Sequence, residues 1–379
     1  ELSLFRLFSG KIKTGDELLN SARNVSERLG QIYALNGGTR TPVTELTAGD
    51  LGAVVKLRDT HTGDTLCSPK RPVVLRKVEY PAPNIHGALK LRTKGDEDKL
   101  AVGLQLLHQE DPTFHYRVDD EIKQTIVSGQ GELQLQVIVE RLLRRFNVAV
   151  DLEEPRIPYR ETIRGKGESR YRHKKQTGGA GQFAEVWLRI EPGPRDSGVD
   201  FKQSLVGTNV DRVFVPSVEK GVKTVCREGV LGGFHVTDVK IDFYDGKMHP
   251  VDSKDIAFQV AGYHAFKEAF MAAAPCLLEP LYTVSVMVPE EFLGAVMGDL
   301  SSRRGQILGV DIDGHFQVVR AQVPQKELYH YSTILRSLSS GRGRHSEAFS
   351  HYAEVPPEAA GKILADAKAR KEAEANHKH

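Results

Sequence analysis

Two stretches of this chain, residues 73–152 and 281–354, repeat one supersecondary plan, and that repetition limits what the chain can fold into. In the first, VVLRKVEY and HGALKLR read as strands, and DEDKLAVGLQLLHQED reads as an amphipathic helix with Leu100, Leu104 and Leu107 on one face. FHYRVD and QTIVSG follow as strands across a turn, GELQLQVIVERLLRRF as a second helix and NVAVDLE as a last strand. Leu133, Val137 and Leu142 supply the second helix's expected core stripe, and Glu132 after Gly131 puts a carboxylate where the helix N-terminus favours it. The order β-α-β-β-α-β, with an extra leading strand, predicts a ferredoxin-like domain. The second copy runs LYTVSVMVP, EEFLGAVMGDLSSRRG, QILGVDI, HFQVVRAQV, KELYHYSTILRSLSS and HSEAFSHYAE, with Asp313-Gly314 as the central turn.

The rest of the chain is arranged around these copies. Residues 1–72 hold short alternating runs (LSLFRLF, ERLGQIYAL, GAVVKL) separated by glycine turns, which predicts a small β-barrel lacking its first strand or strands. Residues 153–280 mix strands (AEVWLRIEP, FKQSLV, HVTDVKIDFYD) with helices (VPSVEKGVKTVCREG, SKDIAFQVAGYHAFKEAFMAAA), an α+β pattern. Residues 356–379 read as a polar, solvated helical tail, with Lys368, Arg370 and Lys371 in solvent. The expected fold is therefore multidomain, mixed β and α+β: 1–72 partial β-barrel, 73–152 ferredoxin-like, 153–280 α+β, 281–355 ferredoxin-like, then the tail.

Composition narrows function by exclusion. The 379 residues carry a formal net charge of only +2, so a nucleic-acid surface has to come from local clustering. Cys67, Cys226 and Cys276 lie far apart, which argues against a disulfide framework and a cysteine zinc site and suits a reducing cytoplasm. No apolar run approaches the roughly 18 residues of a membrane span, and no membrane partner is expected. Glu1 stands where an initiator Met would be, and the chain reads as cut from something longer.

The densest local cluster is HKKQTGGAGQF, residues 173–183. A phosphate-cradling P-loop needs G-x-x-x-x-G-K-[ST], and five residues after Gly178 lies Phe183. Gly179 to Ala184 fits the looser G-x-G-x-x-[GA], but that pattern needs a strand before it and a helix after it, and strand-like AEVWLRI follows. Between Ile163 and Phe183 six cations (Arg164, Lys166, Arg170, Arg172, Lys174, Lys175) face one acid, Glu168, with His173, Tyr171 and Gln176 beside them. Composition leaves two readings open: a basic loop that holds RNA phosphates, or a solvated hairpin face.

Longer motifs carry a resemblance. HTGDTLCSP (61–69), EDPTF (110–114), SGQGELQLQVIVERLLRRFNV (128–148), PYRETI (158–163), HKKQTGGAGQ, VDSKDIAFQVAGYHAFKEAF (251–270), LLEP (277–280), GDLSSRRG (298–305) and LRSLSSGRG (335–343) stand in one order. Collinear over essentially the whole chain, they resemble domains two to five of bacterial elongation factor G, the GTPase that moves tRNA and mRNA through the ribosome. The GTP-binding domain that precedes these in the family has no counterpart here.

The resemblance implies a function. The chain is expected to be the ribosome-binding part of a translational GTPase, monomeric and cytoplasmic, with rRNA, tRNA, mRNA and its own GTPase domain as partners. GTP and Mg²⁺ are expected in that parent protein, and no cofactor, metal or catalytic residue in this chain. Two tip segments of the fourth domain would touch tRNA and mRNA. The first is His173, Lys174, Lys175, Gln176, Thr177, Gly178, Gly179, Gly181 and Gln182; the second spans Asp245 to Ser253, with His249 at the family's tip histidine and Asp252 beside it. Arg303, Arg304 and Arg342 are the candidates for facing rRNA from the fifth domain; by sequence alone they are equally solvated helix and loop ends. The chain departs from the family at Ala180, at Phe183-Ala184-Glu185, at Pro250 and at Ser302. Those departures keep open a paralogue that recycles, rescues or protects ribosomes. A non-ribosomal interaction module that kept the fold is the third reading.

Overall fold

The computed structural model describes residues 2–175 and 181–376. They fall into two compact units, Glu1–Pro83 with Leu89–Arg117 and Ile126–Glu153, and Asn84–Ala88 with Val118–Thr125 and Glu154–His379.

The first unit opens with the β-rich region. Strands Leu2–Arg6, Leu51–Val55, Ile32–Asn36 and Thr39–Val43 lie side by side in that order, and two smaller ladders join Lys11–Lys13 to Glu45–Thr47 and Glu17–Asn20 to Val25–Arg28 and Leu66–Cys67. The strands stay in three separate sheets around Ile12, Leu29, Ile32, Leu46 and Val54 and do not close into the expected barrel. Glu27, 2% exposed, locks the following loop: its carboxylate accepts the Asp59 N–H at 2.8 Å, the Arg58 N–H at 3.1 Å and the Thr60 hydroxyl at 2.9 Å.

Both copies of the repeated plan are ferredoxin-like. In the first, the sheet order His115–Asp119, Gln124–Gly129, Ile85–Leu91, Val150–Glu153 is the split βαβ arrangement, with helices Glu97–Glu110 and Glu132–Phe146. Leu100, Leu104 and Leu107 are buried as expected. On the second helix the buried stripe is Leu135, Ile138 and Leu142, while Leu133 is 73% exposed. At about 100° per residue Leu133 points away from the face that Leu135 and Ile138 present to the core. VVLRKVEY is not a strand. Val73, Val74, Leu75 and Val78 stay exposed, and Pro72, Pro81 and Pro83 around them lack the N–H a ladder needs.

In the second unit the repeat recurs with strands Pro275–Pro289, Gln306–Asp313, Phe316–Pro324 and Arg344–Glu354 in the same spatial order, backed by helices Leu293–Ser302 and Tyr331–Leu338. The long first strand also carries Arg160–Ile163 on its N-terminal half, so this sheet runs on into the segment before it. Glu161, fully buried there, accepts N–H bonds from Val230, Leu231, Gly232, Gly233 and Phe234 at 2.6 to 3.0 Å. The tail is a helix with Lys368, Arg370 and Lys371 exposed as expected, but it is docked along one side. Pro357–Asn376 buries Ile363 and Ala367 and packs against Tyr159, Leu231 and Phe234, because its small and apolar residues recur every three to four positions.

The α+β region is a four-stranded sheet in the order Gly167–Lys175, Gln182–Pro192, Val239–Lys247, Val199–Gln203. Helix Asp255–Ala272 covers one face and buries Phe258, Ala261, Ala265, Phe266, Ala269 and Phe270 completely. Helix Val215–Glu228 crosses it closely: a Cβ on Gly221 would stand 2.1 Å from the Gln259 carbonyl oxygen, so only glycine fits.

Two predictions concern the buried carboxylates. Burial pushes the Glu27 pKa up, but the Asp59 and Arg58 amides and the Thr60 hydroxyl outweigh it and hold it below its ordinary 4.5. A depressed folded-state pKa gives stability that is complete above the unfolded value and lost as pH falls through the folded one. Amides of Arg58 and Asp59, corrected for intrinsic rates, should therefore lose hydrogen-exchange protection as pH drops below 4.5; unchanged protection down to the acid transition of the whole protein would refute this. Glu161→Gln removes one charged acceptor from five donors and should cost about 2–4 kcal/mol in a urea melt of the second unit.

Candidate nucleic-acid interface

In the basic segment singled out in the sequence, His173 to Lys175 end one strand and Gln182 and Phe183 begin the next. Gly167–Lys175 pairs antiparallel with Gln182–Pro192, register His173 to Ala184, Lys174 to Phe183 and Lys175 to Gln182. Strand alternation then sorts its side chains: Ser169 and Tyr171 turn toward the helix-covered face, and Glu168, Arg170, Arg172 and Lys174 are exposed on the other. A strand, not a helix, follows the glycines, so the dinucleotide-binding context is absent. Gln176, Thr177, Gly178 and Gly179, together with Ala180, lie outside the described residues.

The second segment meets the first at the same end of the sheet. Strand Val239–Lys247 pairs with Gln182–Pro192, Lys247 opposite Glu185, and the chain then loops through residues 248–254 into helix Asp255–Ala272. Ser253 staples the two: its hydroxyl donates to the Phe183 carbonyl at 2.8 Å and accepts the His249 N–H at 2.8 Å. The Phe183 N–H donates to the Asp252 carbonyl at 2.9 Å. Gly181 touches this seam, since a Cβ there would lie 2.9 Å from the Asp252 carboxylate. His249 Nδ1 lies 3.3 Å from the Val251 and Asp252 N–H groups and 3.6 Å from Asp252 Oδ2, and its ring meets Phe183 edge to face at 6.4 Å. His173 Nε2 and Gln182 Oε1 are 3.2 Å apart.

His173, Lys174, Lys175, Gly181, Gln182, His249 and Asp252 thus share one end of one rigid sheet. Lys174 and Lys175 are exposed there. Arg172 is partly neutralised, paired with Glu185 at 2.6 Å. Burial raises the Glu185 pKa, but the Trp187 indole N–H and Arg172 outweigh that and leave it below the ordinary carboxylate value. Nothing in the sequence signals that Ser253 joins the segments or that Phe183 stands against His249; pairing across the fold brings both into the site.

The three arginines expected to face rRNA have partners within their own domain. Arg303 is 14% exposed at its side chain, pairs with Asp299 at 2.8 Å, donates to the Glu327 carbonyl at 2.7 Å and lies over the Tyr331 ring at 5.1 Å. Arg304 pairs with the buried Glu279, and Arg342 pairs with Glu291 and lies over Phe292 at 4.8 Å.

Comparison with known families adds a consecutive series. Residues 1–67 match elongation factor Tu domain 2, 80–154 match elongation factor G domain III, 155–274 match elongation factor G domain IV, and 276–363 match the elongation factor G C-terminus. The chain belongs to the elongation factor G family. A crystal structure of a protein from Thermus thermophilus superposes with TM-score 0.84 at 37% identity, covering 97% of this chain and 55% of that one. This chain therefore spans about half the length of that relative. The stapled end of the sheet lies within the domain IV match. Among the described residues no helix is long and apolar enough to cross a membrane.

Ser253→Ala removes both staple bonds. It should cost about 1 kcal/mol of stability and speed exchange of the His249 amide several-fold in native-state hydrogen exchange; an unchanged His249 rate would show the staple to be dispensable.

Proposed function

We propose that this chain is the ribosome-binding portion of a translational GTPase that promotes movement of tRNA and mRNA during protein synthesis. The observation that carries this reading is the convergence of the two domain IV segments on one sheet end, with Lys174 and Lys175 exposed beside His249. Family membership supports it. A cationic end held on a rigid sheet suits contact with RNA phosphates without reading sequence. Lys174 and Lys175 hold phosphate oxygens, His249 and Gln182 offer polar contacts, and the Ser253 staple keeps the two segments in register as the ribosome rearranges.

GTP and Mg²⁺ are assigned to a separate GTPase domain, as in the family reading. The glycine-rich segment here does not fit a nucleotide phosphate cradle, since a strand follows it where a helix N-terminus is required. In this reading the chain contributes binding and positioning. The domain V arginines act in this reading as internal braces, with Arg342 as the more exposed of the candidates for an rRNA contact.

A second reading is a paralogue that recycles, rescues or protects ribosomes. The Phe183 ring against His249, with Pro250 following, favours it, because an apolar edge stands beside the polar group of the tip. Single-turnover translocation by the full-length protein on pre-translocation ribosomes separates the two. Movement well above the spontaneous rate supports the first, and ribosome-stimulated GTP hydrolysis without movement supports the second. Lys174→Glu with Lys175→Glu should slow translocation at least about tenfold while ribosome affinity falls less than about threefold, because most of the binding surface lies elsewhere. Equal losses in both quantities would refute the positioning role. Ribosome affinity that ignores salt would instead indicate a non-ribosomal module.

A further inference from the structure

The second unit contains an open cleft that the tip function does not use. It is bounded by residues 120–123, 156–159 and 232–235 and by the last turns of the C-terminal helix, and it holds about 600 Å³. That is within the roughly 300–1,000 Å³ of small-ligand sites. One wall is aromatic: Tyr159 and Phe234 meet edge to face with centroids 5.3 Å apart. Lys123, Arg156, Arg227, Arg370 and Lys371 are the cleft's cations. Lys371 reaches the glycine turn closely, since a Cβ on Gly233 would lie 2.2 Å from its Nζ. The turn's own N–H groups are already given to Glu161, so anion recognition in the cleft falls to these side chains.

The acids on the lining, Asp120, Glu121 and Glu228, are outnumbered by Lys123, Arg156, Arg227, Arg370 and Lys371, and Glu121 is already paired with Arg160. Glu228 accepts the Tyr263 hydroxyl at 2.8 Å, and Asp120 is exposed at the margin. His235, also on the lining, has its pKa held below the ordinary value by burial and then by the charges of Arg160 and Arg227. Guanidinium groups bind phosphate oxygens in pairs, and an ammonium adds a point charge.

We propose that this cleft binds a small polyphosphate-bearing ligand, with its phosphates on Arg227, Arg370 and Lys371. A nucleoside polyphosphate would place its base against Phe234; inorganic polyphosphate would use the cations alone. The proposal is independent of the ribosomal reading.

The test is calorimetric titration of the 379-residue chain with inorganic tripolyphosphate, ATP and adenosine. Tripolyphosphate and ATP should bind and adenosine should not. Arg227→Glu with Lys371→Glu should weaken binding about a hundredfold, near tenfold for each cation lost. The milder Arg227→Gln with Lys371→Gln, checked for an unchanged thermal melt, separates lost binding from lost folding. Lys202→Glu, a cation of the same unit outside the cleft, should leave affinity unchanged. ATP binding about tenfold tighter than tripolyphosphate supports a nucleotide; equal affinities support polyphosphate. No binding of either up to about 5 mM, or binding that survives both double variants, overturns the proposal.

Discussion

The second unit depends on one buried carboxylate. Glu161 sits on a strand that shares a sheet with Pro275–Pro289, and it accepts five consecutive backbone N–H groups from residues 230–234. A charged acceptor in a dry site is tolerable only when its lone pairs are filled, and five donors fill them. The bond set ends helix Val215–Glu228, feeds strand His235–Val236 into parallel pairing beside Glu161, and holds Phe234 against Tyr159. Burial, then the Glu161 charge, pushes the nearby Cys226 thiol up to about 12, so that cysteine is an inert part of the core.

From that anchor the packing runs to the tip. Helix Val215–Glu228 presses on helix Asp255–Ala272 at Gly221, and the second helix lies on the strands that end at Lys175 and Gln182. The Ser169 hydroxyl ties strand to helix by donating to the Ala265 carbonyl at 2.6 Å. The segment after residue 247 enters that same helix, so its position and that of the hairpin end are set by one packed body. The described ends of the two segments, His173–Lys175 with Gly181–Gln182 and residues 248–254, are therefore held without a core of their own.

Much of the fold was legible because both ferredoxin-like domains combine two clear periods, 2 in strands and 3.6 in helices, with Gly or Asp at the turns. The errors have local physical causes. VVLRKVEY has strand composition but pairs with no strand among the described residues, and prolines stand around it. Leu133 fits an apolar count but lies off the face that Leu135 and Ile138 define. The tail's Ile363 and Ala367 are too few to announce burial until Tyr159 and Phe234 supply a surface for them. In the candidate site, the clustering of residue types pointed to His173, Lys174 and Lys175, and the family resemblance to His249. They did not show that Ser253 joins the two segments or that Phe183 stands against His249.

The sequence by itself determined the order of domains, the family, and the clustering of cations ahead of the glycines, because these are properties of residues near one another along the chain. Only the tertiary structure decided which carboxylates stand beside each cation. Arg303, Arg304 and Arg342 look much like Lys174 and Lys175 in sequence, yet each has a carboxylate from its own domain within reach. A cation's partners depend on neighbours that folding brings beside it, and sequence spacing alone does not reveal them.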